Sequence, residues 1–588
     1  MSRDERADGS GRIDILRRGL RSFVSNGRGN VAIIFGLASL PLLAFTGAAI
    51  DYGLATRLQV KLQAATDATA LTLCQTPQTT TTPQLQSQAK TVMTGYMANA
   101  TNLLVDTLAV TSAPRKITLT THVNSRTFFP AFTGVSSPKV TATSQCATPL
   151  PKTFEIAMVL DNTGSMANSS GSQSKLQAAQ EAAANFVDYV NTNDAFSSQS
   201  RIAIVPFAGA VAIDPAVSGT ATASWVDTKG QSIYHWTNVA KSSLFASRLS
   251  IFNVLKNFSP SWGWAGCFES QPYPQNVQDG APSTANTQAG WNSLYVPYFA
   301  PDEPGKGTTG LATWSSGARN AQTYVSYNSY IDDTGNCSST ATDFPTAESQ
   351  ACKYANVTNA KPTTSGPASL PNGPNFLCNS KPLQRLTSDT STLKSLIASM
   401  VAAGSTNIHE GMIWGWRTLS PISVFGDGAA YSPSTSNAPT ATSKVIILMT
   451  DGANSWPANA YTNYNGYTNY NQTLYFPDGY LTNADGSDPT PHMPPAYKNA
   501  SNISTTTQQR NALDQLTLET CTNAKAAGIS IYTIGFSVAS DPIDNQGITL
   551  LQNCASNSKQ AFVANDSTGL IGAFSQIAAS IGALRISQ

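Results

Sequence analysis

The chain has 588 residues, a formal net charge of +1 and only 12% charged side chains. Nothing in that balance suggests a nucleic-acid or strongly electrostatic partner, while the length allows two to four domains and at least one large core. Ser, Thr, Asn, Gly and Tyr are abundant and Lys and Glu scarce, the look of an exported or cell-surface protein. The eight cysteines, Cys74, Cys146, Cys267, Cys337, Cys352, Cys378, Cys521 and Cys554, are even in number and form no CxxC, CxxH or other zinc spacing. That pattern favours disulfides outside the cytosol over a metal cluster. Proximity pairs Cys74 with Cys146 and Cys521 with Cys554, and leaves the middle four to pair among themselves.

Residues 1–28 form a polar tail carrying Arg3, Arg6, Arg12, Arg17, Arg18, Arg21 and Arg28. Residues 29–50, GNVAIIFGLASLPLLAFTGAAI, hold no charge, and about 20 apolar residues suffice to span a bilayer core of roughly 30 Å. The arginine excess before this run predicts a single-pass helix with its N-terminus in the cytoplasm and the bulk of the chain outside. A cleaved signal peptide is the alternative, but the run is longer than an ordinary signal core and no small-x-small cleavage site ends it, so an anchor is expected. Pro41 is tolerable inside a membrane helix. Residues 51–150 read as a small α+β region. Leu54, Leu58, Leu62, Ala65 and Thr69 recur at helical steps, a Thr/Gln/Pro loop comes next at Pro77–Pro83, and a second helical stretch lies near Ser87–Ala98. KITLTTHV at 116–123 and KVTATS at 139–144 alternate as strands.

The segment RGNVAIIFGLASLPLLAFTGAAIDYG, succeeded by LQVKLQAATDATALT, resembles the N-terminal segment of TadG-like proteins of Flp (tight adherence) pilus-assembly systems over about residues 27–75. The resemblance implies a membrane-anchored bacterial envelope protein, seated in the inner membrane with its bulk periplasmic or extracellular. Some members of that group carry a von Willebrand factor A domain downstream. Ile34 stands at the fifth position after Gly29, where a processed pilin has Glu, which speaks against polymerisation as a pilin.

From residue 153 onward strands alternate with helices, the signature of a parallel sheet covered on both faces. The apolar run Ile156–Leu160 stops at Asp161. Ser174–Val190 is amphipathic, and RIAIVPF at 201–207 is a buried strand. Helices are expected at Thr392–Met400 and Ile408–Leu419, a strand at Lys444–Met449, a helix at Asn511–Ala527, a strand at Ile529–Phe536 and a final helix near Leu570–Leu584. Two stretches, about 212–386 and 454–505, interrupt the alternation. The first holds four cysteines with many Trp, Tyr, Pro and Gly and reads as a cysteine-stapled subdomain. Its Trp262-Gly263-Trp264 and Tyr295–Asp302 aromatics fit either a glycan- or protein-binding platform or the core of that lobe. The second holds Tyr461, Tyr464, Tyr467 and Tyr470 at three-residue steps, read as a surface loop. Because it comes after the turn that ends the strand at Met449, it is expected to overhang the carboxyl ends of the strands.

At those carboxyl ends, where open α/β sheets bind ligands, oxygen-bearing side chains gather. Asp161, Thr163 and Ser165 come after the first strand, Thr406 lies in the loop before Ile408, and Asp451 ends the KVIILM strand. Two carboxylates and three hydroxyls, without His or Cys, suit a hard divalent cation and leave positions for water or an incoming carboxylate. The alternative is that both aspartates merely cap the next helices. The set resembles the metal-ion-dependent adhesion site of the von Willebrand factor A domain, DxSxS, then Thr, then Asp in a TDG turn, with Thr163 in place of the middle Ser. The resemblance covers 153–211, 387–453 and 506–582. It implies a doubly wound, Rossmann-like α/β domain over 151–588 with the two insertions, and one Mg²⁺ (or Mn²⁺ or Ca²⁺) held by Asp161, Thr163, Ser165, Thr406 and Asp451.

No catalytic signature accompanies the set. His409-Glu410 begins like HExxH but Ile413 occupies the second histidine position, and no GxSxG elbow, Walker loop or GxGxxG occurs. His122, His235 and His492 stand alone and read as surface or packing residues, and His409 as a residue that caps or packs at its helix start. The function expected from these readings is adhesion or assembly in a tight-adherence pilus system, by binding a carboxylate of another pilus-assembly or envelope protein or of a surface ligand. The rival readings are an exported metal-dependent hydrolase and a structural anchor with a vestigial site.

Overall fold

Helix α1 runs unbroken from Asn30 to Cys74 in a computed structural model that describes residues 30–76, 80–98, 102–111, 115–130, 136–147, 152–215, 222–305, 312–315, 323–331, 337, 341–355, 357, 360, 362–363, 370–431, 442–456 and 469–583. The arginine-rich tail and Tyr461, Tyr464 and Tyr467 lie outside these residues. The chain divides into two compact units, Met1–Leu150 and Pro151–Gln588.

In the first unit the apolar segment and the amphipathic segment after it are one helix of 45 residues, about 67 Å long at 1.5 Å per residue. Nothing after Ile50 stops it, because the polar stretch continues the three- and four-residue spacing and no Gly-Pro pair intervenes. Over Val31–Cys74 it is long and apolar enough to cross a membrane. Its later turns pack on an antiparallel sheet, ordered β1 (Leu104–Thr111), β2 (Lys116–Asn124) and β3 (Lys139–Ala147), together with α2 (Thr82–Tyr96). Leu62, Leu73, Ile117 and Leu119 are buried there without exposure. Two polar ties fix the helix further. Asp51 accepts the backbone N–H groups of Phe128 and Phe129 at 2.8 and 3.0 Å, and the hydroxyls of Thr66 and Thr121 meet at 2.7 Å. Cys74 is bonded to Cys146.

In the second unit all eight residues of β4 (Phe154–Asp161) are buried. An uninterrupted apolar run is what a strand covered on both faces requires. Chain order then gives α3 (Lys175–Thr192), β5 (Arg201–Phe207), β6 (Gln384–Thr387), α4 (Thr390–Ser399), α5 (Ile408–Leu419), β7 (Ser443–Thr450), α6 (Thr506–Ala526), β8 (Ser530–Phe536), α7 (Asn545–Cys554), β9 (Ala561–Ala564) and α8 (Ser567–Ala583). The sheet order is β6-β5-β4-β7-β8-β9, parallel throughout except for the antiparallel edge strand β6. This is the doubly wound α/β topology, with strand order reversing direction between β4 and β7. The two-residue period of β4 separates the faces. Ile156, Met158 and Leu160 join α3, α4 and α8 in one apolar cluster, and Ala157 and Val159 join α5, α6 and α7 in the other. Burial of each of Ile156, Met158, Leu160 and Val159 stabilises the fold by roughly 1.5–3 kcal/mol. On the second face α5 lies very close to the sheet, because a β-carbon on Gly415 would stand 2.4 Å from Val159 Cγ2.

Three elements escape a periodicity reading. Strand β6 is a half-buried QRLT edge, β9 has four residues, and α7 has only ten. The insertions share an aromatic core rather than exposing a platform. Trp262, Tyr295, Tyr298 and Phe299 are at most 2% exposed, and Tyr298, Phe376, Trp456, Tyr475 and Tyr480 pack in one cluster drawn from both insertions. Segments with little regular structure bury enough surface only with large rings, stapled here by Cys267–Cys378 and Cys337–Cys352. The remaining bridge is Cys521–Cys554, between α6 and α7.

Candidate metal centre

Asp161 and Asp451 emerge side by side, because β4 and β7 are parallel neighbours in register from Phe154/Ser443 to Leu160/Met449. Their ends form the crevice where the strand order reverses, the place such sheets bind ligands. The chain leaves β4 in a tight turn, in which Thr163 N–H donates to Asp161 Oδ1 at 2.7 Å. The turn continues as one short 3₁₀ turn, Gly164–Ala167, placing Thr163 Oγ1 and Ser165 Oγ 3.1 Å apart. Ser165 Oγ donates to Asp451 Oδ1 at 2.7 Å, and Thr450 Oγ1 donates to Asp161 Oδ2 at 2.6 Å. The loop bearing Thr406 is tied to the same turn. Gly164 N–H donates to Gly404 O at 2.9 Å, with Gly404 at φ +85, a left-handed conformation that glycine adopts without strain. Thr406 Oγ1 lies 4.0 Å from where a β-carbon on Gly452 would stand.

Asp161, Thr163, Ser165 and Asp451 thus form one hydrogen-bonded chain, with Thr406 on the facing loop. The helix-capping alternative does not describe them. Helix α3 is capped by Ser174, with Gln177 completing a capping box, α5 by Asn407 and α6 by Thr505. Asp161 and Asp451 are at most 3% exposed, whereas Gly164 faces solvent and Ser165 is half-buried, so the site opens on the Gly164–Ser165 side. Burial, with the Asp451 charge adding to it, pushes the Asp161 carboxyl up to about 7. Burial likewise raises Asp451, against the pull of Lys175 and Ser165. Two neighbouring buried carboxyls and an all-oxygen donor set fit a hard cation. Among the described residues no three of His, Cys, Asp and Glu converge as metal ligands, so any ion here relies on hydroxyls.

One neighbour is not expected from the sequence. Lys175, fully buried at the start of α3, places its Nζ 2.9 Å from Asp451 Oδ2 and 2.7 Å from Asp541 Oδ2. Asn168 Nδ2 also donates to Asp541 Oδ2, at 2.8 Å. The ammonium takes the Asp451 oxygen turned away from Ser165 and opposes a second cation in the crevice. Asp541 lies beyond the end of β8, and the rule that leads to Asp451 at the end of β7 also leads to it. Lys175 gives no such signal, since a lysine in a first helical turn is ordinarily solvated. His409 Nε2 lies 2.9 Å from Asn276 O in the interior, a packing role. Of the remaining histidines, His235 and His492 are buried and His122 contacts Asp106.

The Tad family, described as Flp pilus-assembly TadE/G-like, matches residues 29–72. No curated protein matches the chain. Among solved structures, the chain is similar to the vWF domain of the type V pili tip protein Mfa5 from Porphyromonas gingivalis. That likeness has 13% identity and a TM-score of 0.28, and covers 74% of this chain and 95% of that one. The adhesive tip pilin GBS104 from Group B Streptococcus agalactiae is similar at 12% identity and a TM-score of 0.30, over 73% and 100% of the two chains. The pilus adhesin SpaC from Lactobacillus rhamnosus GG is similar at 11% identity and a TM-score of 0.28, over 82% of this chain. The chain spans about a third of SpaC, 35% of its length. At such TM-scores the similarity is loose, and the fold stands on its strand order.

Proposed function

We propose that this chain is a single-pass bacterial envelope protein of the tight-adherence pilus-assembly type, whose α/β domain lies outside the inner membrane and binds a partner carboxylate through one divalent cation. The family match over 29–72 and the membrane-length helix support the setting. The observation that carries the binding mode is the juxtaposition of Asp161 and Asp451 at the strand reversal, linked through Thr163, which donates its N–H to Asp161, and Ser165, which donates its hydroxyl to Asp451. Asp161 and Asp451 supply the charge, Thr163, Ser165 and Thr406 supply neutral oxygens, and the open Gly164 side admits the partner. A bound Mg²⁺ would contribute free coordination positions for that carboxylate. We read the site as one that binds rather than catalyses.

A second reading, a structural anchor whose carboxylates are neutralised internally, draws on the Lys175–Asp451 contact of 2.9 Å. Titration of the full-length protein with Mg²⁺ and Mn²⁺ by calorimetry, alongside Asp161→Ala, separates the two. The adhesion reading expects saturable one-site binding that Asp161→Ala abolishes. Absence of binding in both proteins leaves only the anchor.

A further inference from the structure

A second acidic site lies away from the strand reversal, where the two insertions meet. A cavity of about 210 Å³ is lined by Glu269 of the first insertion and by Asp478, Asp485 and Asp488 of the second, with Tyr234 and His492 on its wall. The four carboxyls are graded in depth. Asp478 is 1% exposed and Glu269 8%, Asp488 is half-buried and Asp485 exposed. The floor is positioned by a tight turn in which Phe476 and Gly479 exchange backbone hydrogen bonds at 2.8 and 3.2 Å, with Gly479 at φ +93.

The four acids differ in what satisfies them. Glu269 is paired with Arg248 and accepts the Tyr475 hydroxyl. Asp485 and Asp488 accept local backbone N–H groups at 2.9 and 3.0 Å. Neither carboxyl oxygen of Asp478 meets a hydrogen-bond donor in good geometry. The Ser270 hydroxyl and a backbone N–H nearby offset only part of its burial, and the Glu410 charge adds to it. A buried acid left without partners costs free energy that a fold retains only against a return. Among the described residues lining the cavity there is no cation to supply one. Arg248 is committed to Glu269, and burial lowers His492 to about 4, so its ring is neutral.

We propose that this cavity binds an organic cation, an ammonium or guanidinium group on an apolar stem, with Asp478 as its buried counter-ion. A bare metal ion is the poorer match, because among the described residues no three acids or histidines converge on one point. A guanidinium spreads its charge over several donors and stacks on rings, and Tyr234 and His492, with ring centroids 5.3 Å apart, provide the aromatic wall. Asp485 and Asp488 at the mouth attract the cation, and Asp478 receives it where water is excluded. In the ligand-free chain burial pushes Asp478 up to about 8, so it is a neutral acid at pH 7. An arriving cation converts it to the carboxylate with release of one proton. The same chemistry is carried by an arginine or lysine of a protein partner and by a free polyamine.

The test is calorimetric titration of the full-length protein in detergent with agmatine and, separately, with an acetyl-Ala-Arg-Ala amide peptide. Both bind the parent protein, and Asp478→Asn weakens them roughly 10–100-fold, the range of a lost charge-assisted hydrogen bond. Asp488→Asn, at the half-exposed mouth, weakens them several-fold and decides the matter should the first variant fail to fold. Tighter binding of the peptide assigns the cation to a protein partner, and tighter binding of agmatine to a free amine. Asp161→Ala leaves the affinities unchanged, which separates this site from the divalent one. No binding by the parent, equal binding by a folded Asp478→Asn, or competitive displacement of agmatine by Ca²⁺ that itself depends on Asp478 overturns the proposal.

Discussion

Lys175→Met is the perturbation that probes the strand reversal most directly. The parent lysine is fully buried between Asp451, whose side chain is also inaccessible, and Asp541, whose side chain is 38% exposed. Removing one member of a buried pair leaves an uncompensated charge, and such deletions cost about 3–5 kcal/mol. The Asp451 contact carries most of this, since the Asp541 contact is screened by water. For a unit the size of Pro151–Gln588 the entropy of unfolding is close to ~1 kcal/mol/K, so the melting temperature falls by about 3–5 °C in chelator. The ammonium that opposed a cation is now gone, so Mg²⁺ becomes the replacement counter-charge. At a hundred times its Kd, a ligand of the native state adds about 2.7 kcal/mol, recovering much of the loss. The assay is differential scanning calorimetry of parent and variant in EDTA and in 10 mM Mg²⁺. A variant as stable as the parent in EDTA, or one that Mg²⁺ stabilises no more than the parent, refutes the assignment of Lys175 as the internal counter-charge.

Gly415→Ala puts a methyl 2.4 Å from Val159 Cγ2; overpacking of this kind lowers stability by about 1–3 kcal/mol, read as a lower denaturant midpoint at unchanged slope. Replacing Cys521 and Cys554 with serine opens a loop of 33 residues between α6 and α7 and lowers stability by about 2–5 kcal/mol; an unchanged denaturation midpoint contradicts this. Buried Glu348, beside Glu303, Asp302, Lys353 and Asn471, is pushed up to about 8 by burial and by the Glu303 charge. Its folded value lies above its unfolded one, so its stabilising contribution is full below about pH 4.3 and is lost as pH rises through about 8. Glu348→Gln therefore flattens the fall of stability between pH 5 and 8 by at most about 1.4 kcal/mol per pH unit, and urea titrations of both proteins across that range show whether the slope changes.

The parts of the fold legible in the sequence are those where one physical rule acts over many residues. β4, β5 and β7 are continuous apolar runs because both faces of a parallel sheet are covered, and α3 and α5 announce themselves by period and cap. The oxygen cluster is legible for a related reason: an apolar run ends where its strand ends, so Asp161, Thr163, Ser165 and Asp451 are found just past the last apolar residue of each run. Lys175 is not, because its burial depends on two acids 276 and 366 residues further along the chain. The insertions are opaque for the opposite reason. Their core is assembled from single aromatics such as Tyr298, Trp456 and Tyr475, each placed by irregular backbone with no period to betray it. Asp478 illustrates the limit: an acid within an irregular insertion carries no signal of burial, yet it is buried.

The bridge between Cys74 and Cys146 has a mechanical meaning. It joins the last residue of α1 to β3 just before the chain leaves the first unit, so all of α2, β1 and β2 lies inside a covalent loop. Tension applied from residue 147 onward enters α1 through one sulfur–sulfur bond and bypasses that loop. The intervening 72 residues would otherwise release up to ~240 Å of slack at full extension. A pull on the chain beyond residue 147 therefore reaches α1 without extending that loop while the disulfide is intact.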